Sequence, residues 1–258
     1  MGSALIAGIA KSDVTPAGDI LVYDLTPDSV SALVASTGVS AASSNPDLTT
    51  RSQTILLALK PQYIVTVLEE IAPLITPDHL LISIAAGVTL EKMEAACPAG
   101  TRIIRAMPNT PALIGLGATG IAPGSHASEK DLELAQKLLQ SVGMVSISQE
   151  AQLDAVTGLS GSGPAYVYTF IESMAQQAEK EGLPADEALK LATQTVIGAA
   201  RMVEQTGMTP RELVNQVTSP GGTTLAGLAA LTEHGFEKSI AAGVQAAAQR
   251  SREIARES

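Results

Sequence analysis

The segment Val217–Thr224 has the sequence V-T-S-P-G-G-T-T, and its residue types suit the binding of an anion. Gly221 and Gly222 free the backbone just before a predicted helix, so several backbone N–H groups are left without helical partners. Thr223 and Thr224 add two hydroxyl groups at the same point. Because N–H groups at a helix N-terminus bind carboxylates and phosphates, the segment predicts a carboxylate-binding loop. The six central residues alone would equally suit a tight turn between two helices.

Two predicted helices flank this loop. Thr209 and Pro210 fit the N-cap and the first position of a helix, and a glutamate completes a capping box. Pro220 lacks an N–H group and restricts the residue before it, so this helix should end by about Thr218. A second helix is expected from near Thr224, since leucines recur with helical spacing at Leu225, Leu228 and Leu231.

Three further segments follow apolar runs that are predicted to be neighbouring strands. Open α/β sheets bind ligands where their strands end, so these segments are candidate binding residues. Each segment alone could be a simple strand-to-helix turn, whereas three on adjacent strands indicate a binding edge. The segments are Ala58-Leu59-Lys60-Pro61, Ala85-Ala86-Gly87-Val88-Thr89 and Met107-Pro108-Asn109-Thr110-Pro111.

The first half of the chain alternates short apolar runs with helix-like stretches. The runs are almost entirely apolar, which is typical of strands buried on both faces of a sheet. The alternation predicts a Rossmann-like, doubly wound α/β sheet in a dinucleotide-binding domain, residues 1–148. The predicted strands are Ile20–Tyr23, Ile55–Leu59, Leu80–Ile84, Arg102–Met107 and Ala118–Ala122, and the predicted helices are Asp28–Ser36, Gln62–Ile71, Leu90–Ala96 and Glu129–Val142, the last capped by Ser128.

Residues 149–258 show no strand pattern and are predicted to form an all-α domain for substrate binding and dimerisation. Pro164 and Pro184 open two long helices, and a last helix follows Phe236. The turn at Gly158–Pro164 is flexible and carries hydroxyl groups. The helices are rich in alanine and carry few charges on more than one face, which favours packing against a partner chain. We therefore expect a homodimer.

The composition disfavours several classes of protein. A net charge of −10 argues against nucleic-acid binding. The single cysteine, Cys97, rules out an internal disulfide framework, and we expect it to be inert because no neighbour in the sequence would stabilise its thiolate. The N-terminus does not resemble a signal peptide, and no apolar run reaches the roughly 20 residues of a membrane span. A cytoplasmic location is therefore expected.

A dinucleotide fingerprint is predicted at the N-terminus rather than at the G-x-G-x-x-G sequence of Gly115–Gly120. No helix is predicted directly after Gly120, whereas a phosphate-binding loop must open a helix. Met1–Ala7 is instead similar to the start of the helix that follows such a loop, with Gly2 as the last glycine of the fingerprint. Asp24 ends the next strand about 20 residues later, where these folds bind the adenosine ribose.

His79, His126 and His234 lie in polar turns away from these motifs, and we expect them to be solvated. No group of residues has the spacing of metal ligands, so no metal site is predicted. No combination of Ser, His and Asp suggests acyl transfer.

The chain resembles the pyrroline-5-carboxylate reductases from Met1 to about Arg256. The motifs that carry the resemblance are D-A-V-T-G-L-S-G-S-G-P-A-Y at Asp154–Tyr166, V-T-S-P-G-G-T-T at Val217–Thr224 and M-P-N-T-P at Met107–Pro111. The resemblance implies reduction of 1-pyrroline-5-carboxylate to L-proline by NADPH or NADH, the last step of proline biosynthesis. It also implies interlocked helical domains in a dimer, and larger rings such as a decamer of five dimers.

The resemblance further implies roles for single residues. The S-P-G-G-T-T loop would hold the substrate carboxylate, and Thr224 would donate a proton to the imine nitrogen. Asn109 would lie near the nicotinamide. The implied substrate-binding residues are Ser219, Gly221, Gly222, Thr223, Thr224, Gln216 and Glu150. Together with Gly2, Asp24 and Leu59 from the motifs above, the cofactor-binding residues are Thr26, Asn45, Ala58, Lys60, Pro61, Ala86, Gly87 and Asn109.

Family members carry a first strand and a G-x-G-x-x-G turn before the position of Gly2. We expect that a start site placed at an internal Met accounts for the difference, which is roughly ten residues by fold geometry. That strand is central in the sheet, so without it the backbone of both neighbouring strands would be exposed. Weak folding and poor cofactor binding would follow.

Two other functions fit parts of the sequence. The β-hydroxyacid dehydrogenases share an α/β-plus-helical layout, but they place a lysine on the helix after their Gly-rich turn, and residues 164–174 contain none. A non-catalytic oligomerising protein is the third possibility, if the cofactor loop is lost.

The sequence also bears on the choice of cofactor. Asp24 would accept hydrogen bonds from a ribose 2′-hydroxyl and would repel a 2′-phosphate. No Arg or Lys lies between Lys11 and Arg51 to pair with such a phosphate. A modest preference for NADH is therefore predicted.

Overall fold

The computed structural model describes residues 1–257, and the chain divides into two compact units. The first unit contains Met1–Ser162 and the chain from Gln245 onward, and the second contains Gly163–Val244. This division differs from the sequence-based boundary at residues 148/149. Residues just after 148 and the last part of the chain are helical, yet they pack with the α/β residues, as the hydrogen bond between Ser251 and Asp154 shows.

The first unit combines short strands with helices on both sides of a sheet. Its strands are β1 (Leu21–Val22), β2 (Ser40–Ala41), β3 (Thr54–Leu57), β4 (Leu80–Ser83), β5 (Arg102–Met107), β6 (Gly117–Pro123) and β7 (Gly143–Ile147). Its helices are α1 (Gly2–Lys11), α2 (Pro27–Thr37), α3 (Asn45–Arg51), α4 (Pro61–Ile71), α5 (Leu90–Ala95), α6 (Glu129–Gln140) and α7 (Leu153–Val156), with a π-helical turn at Thr157–Gly161 directly after α7.

Strands β3 to β7 form one sheet in sequence order. Strands β3, β4 and β5 are parallel, and β6 runs antiparallel to β5 and parallel to β7. Strands β1 and β2 form a separate parallel pair. Within residues 1–257, β1 and β3 each pair on one side only. In the described part of the chain, the two sheets are therefore not joined by backbone hydrogen bonds.

Two apolar clusters cover the two faces of the larger sheet. On one face, α1 and α6 pack on alternate residues of β4 and β5, and on the other face α4 and α5 pack on the residues between them. The first cluster includes Leu5, Leu80, Ile82, Ile104 and Leu139, and the second includes Ile64, Leu68, Leu81, Met93 and Ile103. Because both faces are buried, the predicted doubly wound α/β architecture is confirmed.

Several elements were not predicted. Strand β2 has two residues and therefore no apolar period, and β7 mixes Gly, Ser and apolar residues. Helix α3 was missed as well. The strand at β6 was predicted, but its antiparallel direction was not. Ser128 caps α6 as predicted, and the structure adds a capping box with Asp131. Gly115–Gly120 leads into strand β6 rather than a helix, as predicted, so it lacks the geometry of a phosphate loop.

The second unit is helical. Its helices are α8 (Gly163–Lys180), α9 (Ala185–Thr206), α10 (Pro210–Gln216) and α11 (Thr223–Glu233), and α12 (Phe236–Glu257) begins in the second unit and ends in the first. The capping box at Thr209 opens α10 as predicted. Helix α10 ends at Gln216, slightly earlier than the predicted Thr218.

The core of the second unit is small. Its fully buried apolar side chains are Ala175, Ala188 and Ala192. Large apolar side chains remain exposed on its helices, among them Tyr168 at 59%, Leu191 at 52% and Ile197 at 49%. Ile171, Met174 and Ala178 pack against these alanines but are only partly buried. A small core with exposed apolar side chains around it fits the predicted packing against a partner chain. None of the helices in residues 1–257 combines the length and apolar character needed to cross a membrane.

Candidate active site

The loop predicted to bind a carboxylate lies directly before α11 in the second unit. Gly221 adopts a left-handed conformation with φ of +71°. The Gly222 N–H group donates to the Ser219 carbonyl oxygen at 2.9 Å and closes a turn. A Cβ atom at Gly222 would lie 2.5 Å from Ser219 Oγ and 3.1 Å from the Ser219 carbonyl oxygen, so a larger residue there would have to displace the Ser219 side chain. The two glycines thus lead the chain straight into the first turn of α11.

The first turn of α11 presents unpaired donors. Gly222 is the N-cap and offers no side-chain acceptor. Within residues 1–257, the N–H groups of Thr223, Thr224 and Leu225 donate to no protein acceptor, and the two threonine hydroxyls have no protein partner either. Thr224 is half-buried, whereas Thr223 is exposed. The helix dipole adds partial positive charge at this end, so the arrangement suits a carboxylate.

Gln216 is the last residue of α10. Its Nε2 atom donates to the Met208 sulfur at 3.4 Å, so the side chain lies along the helix and is exposed. Its role near the substrate stays a prediction.

In the first unit, the carboxyl ends of β3, β4 and β5 lie side by side, because the three strands are adjacent and parallel. Each strand leads into one of the predicted ligand segments, Ala58–Pro61, Ala85–Thr89 and Met107–Pro111. The predicted arrangement on adjacent strands is therefore confirmed. The ligand contacts of these segments stay predictions.

Helix α1 begins near this edge. A Cβ atom at Gly2 would lie 3.0 Å from the Cβ atom of Ala58, which directly follows β3. The N–H groups of Gly2 and Ser3 donate to no acceptor in the part of the chain that the structure describes. In dinucleotide-binding folds the last fingerprint glycine permits close helix–strand packing, and the helix N-terminus binds the pyrophosphate. These residues therefore fit NADPH or NADH.

The other predicted cofactor residues have defined partners. Asp24 Oδ1 accepts a hydrogen bond from the Thr26 N–H group at 2.8 Å, and both residues are exposed. Asn45 Nδ2 donates to Glu70 Oε2 at 2.8 Å, which joins α3 to α4. Lys60 is the exposed N-cap of α4 and forms no ion pair within residues 1–257. Its ammonium group is therefore available to a phosphate.

Asn109 is buried, with 8% of its surface exposed. The Ala118 N–H group donates to its Oδ1 atom, and its Nδ2 atom donates to the Ser160 carbonyl oxygen, both at 2.9 Å. Its position near the nicotinamide stays a prediction. The structure adds a role in holding the π-helical turn.

Glu150 holds the start of α5. Its Oε1 atom accepts hydrogen bonds from the Leu90 N–H group at 2.6 Å and from Arg105 Nη1 at 2.9 Å. Arg105 is buried, so this ion pair balances a charge that water does not reach. Because the carboxylate is already engaged, the geometry favours a role in positioning α5. Direct contact between Glu150 and the substrate stays a prediction.

Comparison with known proteins relates both halves of the chain to one group of enzymes. Residues 150–254 match the family described as pyrroline-5-carboxylate reductase dimerisation, and residues 1–87 match the family described as NADP oxidoreductase coenzyme F420-dependent. A pyrroline-5-carboxylate reductase of Methanosarcina acetivorans is 42% identical over 254 residues, covering 98% of this chain and 94% of the relative. The Escherichia coli enzyme of that name is 38% identical over 256 residues, covering 99% and 95%.

The chain belongs to the pyrroline-5-carboxylate reductase family. Solved structures support the same family membership. That of the Coxiella burnetii pyrroline-5-carboxylate reductase has a TM-score of 0.92 and 32% identity, covering 98% of this chain and 94% of the other. The Plasmodium falciparum enzyme, solved with NADP bound, has a TM-score of 0.87 and 31% identity, covering 99% and 94%. The predicted resemblance is confirmed over nearly the whole chain.

The match to a dimerisation family bears on the assembly. It covers the helical residues whose large apolar side chains are exposed in the single chain. Together these observations make this family member a homo-oligomer.

The prediction for one histidine was wrong. His79 is buried, with 8% of its surface exposed, rather than solvated. Its Nδ1 atom accepts a hydrogen bond from the Thr76 N–H group at 3.0 Å, and its Nε2 atom bonds the Thr49 carbonyl oxygen at 3.0 Å. The turn at Thr76 folds the ring back onto α3, which sequence spacing does not reveal. His126 and His234 are exposed, as predicted.

The Cys97 thiol is partly buried. Burial, and then the charge of Glu94, raise the pKa of the Cys97 thiol to about 11. A raised pKa keeps the thiol protonated at neutral pH, which agrees with the predicted lack of reactivity, and that lack of reactivity stays a prediction. Within residues 1–257, no cluster of three or more His, Cys, Asp or Glu side chains could hold a metal ion.

Proposed function

We propose that this chain reduces 1-pyrroline-5-carboxylate to L-proline with NADPH or NADH, with the V-T-S-P-G-G-T-T loop as its substrate-binding element. The observation that carries the proposal is the first turn of α11. There the N–H groups of Thr223, Thr224 and Leu225 are unpaired within residues 1–257, in a chain whose relatives bear the name of this activity.

The reduction needs a hold on the substrate carboxylate, a hydride at the imine carbon and a proton at the imine nitrogen. The α11 N-terminus supplies the first of these, because its N–H groups and its dipole attract a carboxylate. NADPH or NADH, when bound, supplies the hydride. The Thr224 hydroxyl is half-buried beside the same N–H groups, and we assign it the transfer of the proton to the nitrogen.

The binding of the cofactor falls to the first unit. The N–H groups of Gly2 and Ser3 would bind the pyrophosphate, and the Lys60 ammonium group would add positive charge. The remaining residues of the proposed site are Asp24, Thr26, Asn45, Ala58, Leu59, Pro61, Ala86, Gly87 and Asn109. Little acid–base strength is required of these residues, because hydride transfer depends mainly on positioning.

Steady-state assays of the purified protein test the proposal. We expect NADPH or NADH to be oxidised in the presence of 1-pyrroline-5-carboxylate. We expect no reduction of NADP+ or NAD+ by any of a panel of 3-hydroxy acids. Turnover of any 3-hydroxy acid without turnover of the cyclic imine would show a β-hydroxyacid dehydrogenase instead. Binding of neither cofactor in calorimetry would favour a non-catalytic oligomer.

For the assembly we propose a dimer, which can associate further into a decamer of five dimers. The dimer is supported by the small core of the second unit and its exposed apolar side chains. Light scattering at micromolar concentration measures the mass. A stable monomer would contradict the dimer, and a single dimer species would contradict the decamer. We also keep the predicted cytoplasmic location, which cell fractionation can test.

A further inference from the structure

The end of α12 packs on the loop that joins β4 to α5. This loop, residues 84–89, contains Ala86 and Gly87, two residues of the proposed cofactor site. Ile254 and the backbone of Ala255 lie against Gly87 of this loop, and Ser251 on the same helix bonds Asp154. We call Ser251, Ile254 and Ala255 the C-terminal clasp. All of them belong to the first unit.

The closest contact joins Ile254 to Gly87. A Cβ atom at Gly87 would lie 2.5 Å from Ile254 Cγ2, a distance that real Cβ atoms do not reach. Gly87 also has φ of +77°, a conformation that side chains other than hydrogen disfavour. Glycine has more accessible backbone conformations than other residues, and the loop must lose this conformational entropy when it binds a ligand. The Ile254 side chain lies where it restricts the backbone conformations of Gly87.

Two polar contacts fix the clasp on either side of Ile254. Ser251 Oγ donates to Asp154 Oδ1 at 2.6 Å, and Ser251 is buried, with 6% of its surface exposed. Lys92 Nζ donates to the Ala255 carbonyl oxygen at 3.0 Å. Lys92 lies on α5, directly after the loop, and its charge suits the C-terminal end of a helix. The clasp therefore holds both the loop and the helix that follows it.

We propose that the C-terminal clasp positions the Ala86–Gly87 backbone for the cofactor, with Ile254 as the positioning residue. The proposal deepens the function given above and rests on its cofactor site. Without the Ile254 side chain, the glycine loop samples more conformations, and binding the cofactor must reverse that gain. Affinity for the cofactor then falls, while the substrate loop before α11 keeps its own contacts.

The main test compares the unmodified protein with Ile254→Ala in two measurements. Titration with NADPH, followed by the fluorescence of the cofactor, should show a dissociation constant raised roughly 5- to 10-fold. Hydrogen exchange without cofactor should be faster in a peptide covering residues 84–92. The KM for 1-pyrroline-5-carboxylate should stay within about twofold. Unchanged exchange and an unchanged dissociation constant in a folded variant would overturn the proposal.

A second test probes the same contact by adding a methyl group at Gly87 instead of removing the Ile254 side chain. Gly87→Ala alone places a methyl group against Ile254, whereas Gly87→Ala combined with Ile254→Ala leaves space for it. The loss of NADPH affinity caused by Gly87→Ala should therefore be smaller in the Ile254→Ala background. Equal losses in both backgrounds would show that Ile254 does not press on the loop.

Arg250→Ala provides the matched control. Arg250 is exposed on the same helix and pairs with Glu253 and Glu257, so its loss weakens the helix without touching the loop. Hydrogen exchange in residues 84–92 of Arg250→Ala should match that of the unmodified protein. If Arg250→Ala mimicked Ile254→Ala, a general loosening of α12 would replace the proposed clasp. Ser251→Ala, which removes only the Asp154 contact, serves if Ile254→Ala does not fold.

The exchange measurement separates this inference from the proposed function. If the unmodified protein bound neither NADPH nor NADH, the proposed cofactor site would be wrong. Faster exchange in Ile254→Ala would then still show that the clasp orders the loop, and slower or equal exchange would refute it.

Discussion

Asn109 holds Ser160 by a hydrogen bond from its side-chain Nδ2 atom to the Ser160 carbonyl oxygen, at 2.9 Å. The other end of the same amide accepts from the Ala118 N–H group. Asn109 follows β5, Ala118 lies in β6, and Ser160 lies in the π-helical turn. π-Helical turns are rare and occur frequently at functional sites. Asn109 connects this one to strand β6.

Replacement of Asn109 by Asp should therefore destabilise the protein. The variant puts a carboxylate oxygen against the Ser160 carbonyl group and leaves a charge in a buried site. We expect a loss of roughly 2–3 kcal/mol in the free energy of unfolding. Urea denaturation at neutral pH measures it, with the exposed neighbour Thr110→Ala as control. Equal stability of Asn109→Asp and the unmodified protein would show that the amide is not required.

Thr224→Ala should lower kcat by roughly 100-fold or more, because the proposed proton donor is removed. The affinity for NADPH should barely change, since the residue lies outside the proposed cofactor site. Thr223→Ala is the matched control, as it removes the neighbouring hydroxyl from the same helix turn. If Thr224→Ala turns over normally, water or Thr223 supplies the proton.

Because of Asp131, we expect the stability of the protein to depend on pH. Burial alone raises the pKa of Asp131, but hydrogen bonds from Ser128 and the charge of Arg102 outweigh it and hold the pKa below its usual value of 3.8. A depressed pKa stabilises the folded state above the unfolded pKa, and this contribution disappears as the pH falls through the folded pKa. Asp131→Asn should therefore cost roughly 1–3 kcal/mol at pH 7 and progressively less below about pH 4.

Denaturation at several pH values tests this. Asp28→Asn is the control, because Asp28 also lies in the first turn of a helix but is exposed. It should change the free energy of unfolding by less than about 0.5 kcal/mol. If the difference in the free energy of unfolding between Asp131→Asn and the unmodified protein did not vary with pH, protonation of Asp131 would not be coupled to stability as we propose.

The predictable part of this structure is the part set by local chemistry. Thr209 and Ser128 open helices because their side chains cap N–H groups three residues on. Gly221 suits the turn before α11 because its left-handed conformation disfavours other residues, and Gly222 packs closely on Ser219. In each case the residue and the group that it contacts lie within about one helical turn of each other in sequence. The turn before α11 could therefore be predicted before the fold was known.

The unpredicted part depends on residues far apart in sequence. Ser251 contacts Asp154, 97 residues away in sequence, and Lys92 contacts Ala255, 163 residues away. No local pattern marks such pairs, because each side chain could equally face solvent. Strand β6 reverses direction for a similar reason, since the pairing partner of a strand is chosen by the whole sheet.

The last prediction concerns the cofactor. Asp24 lies just beyond β1, and its Oδ1 atom is bound by the Thr26 N–H group. That contact orients the carboxylate, and Oδ2 remains available to a ribose 2′-hydroxyl. A 2′-phosphate would meet this charge with no Arg or Lys between Lys11 and Arg51 to balance it. We therefore expect a modest preference for NADH, and Asp24→Ser should shift the ratio of kcat/KM toward NADPH by roughly 10-fold, or about 1.4 kcal/mol. Asp28→Asn, which removes a nearby charge on α2, should leave the ratio unchanged if position rather than net charge matters. A strong preference of the unmodified protein for NADPH would refute the role given to Asp24.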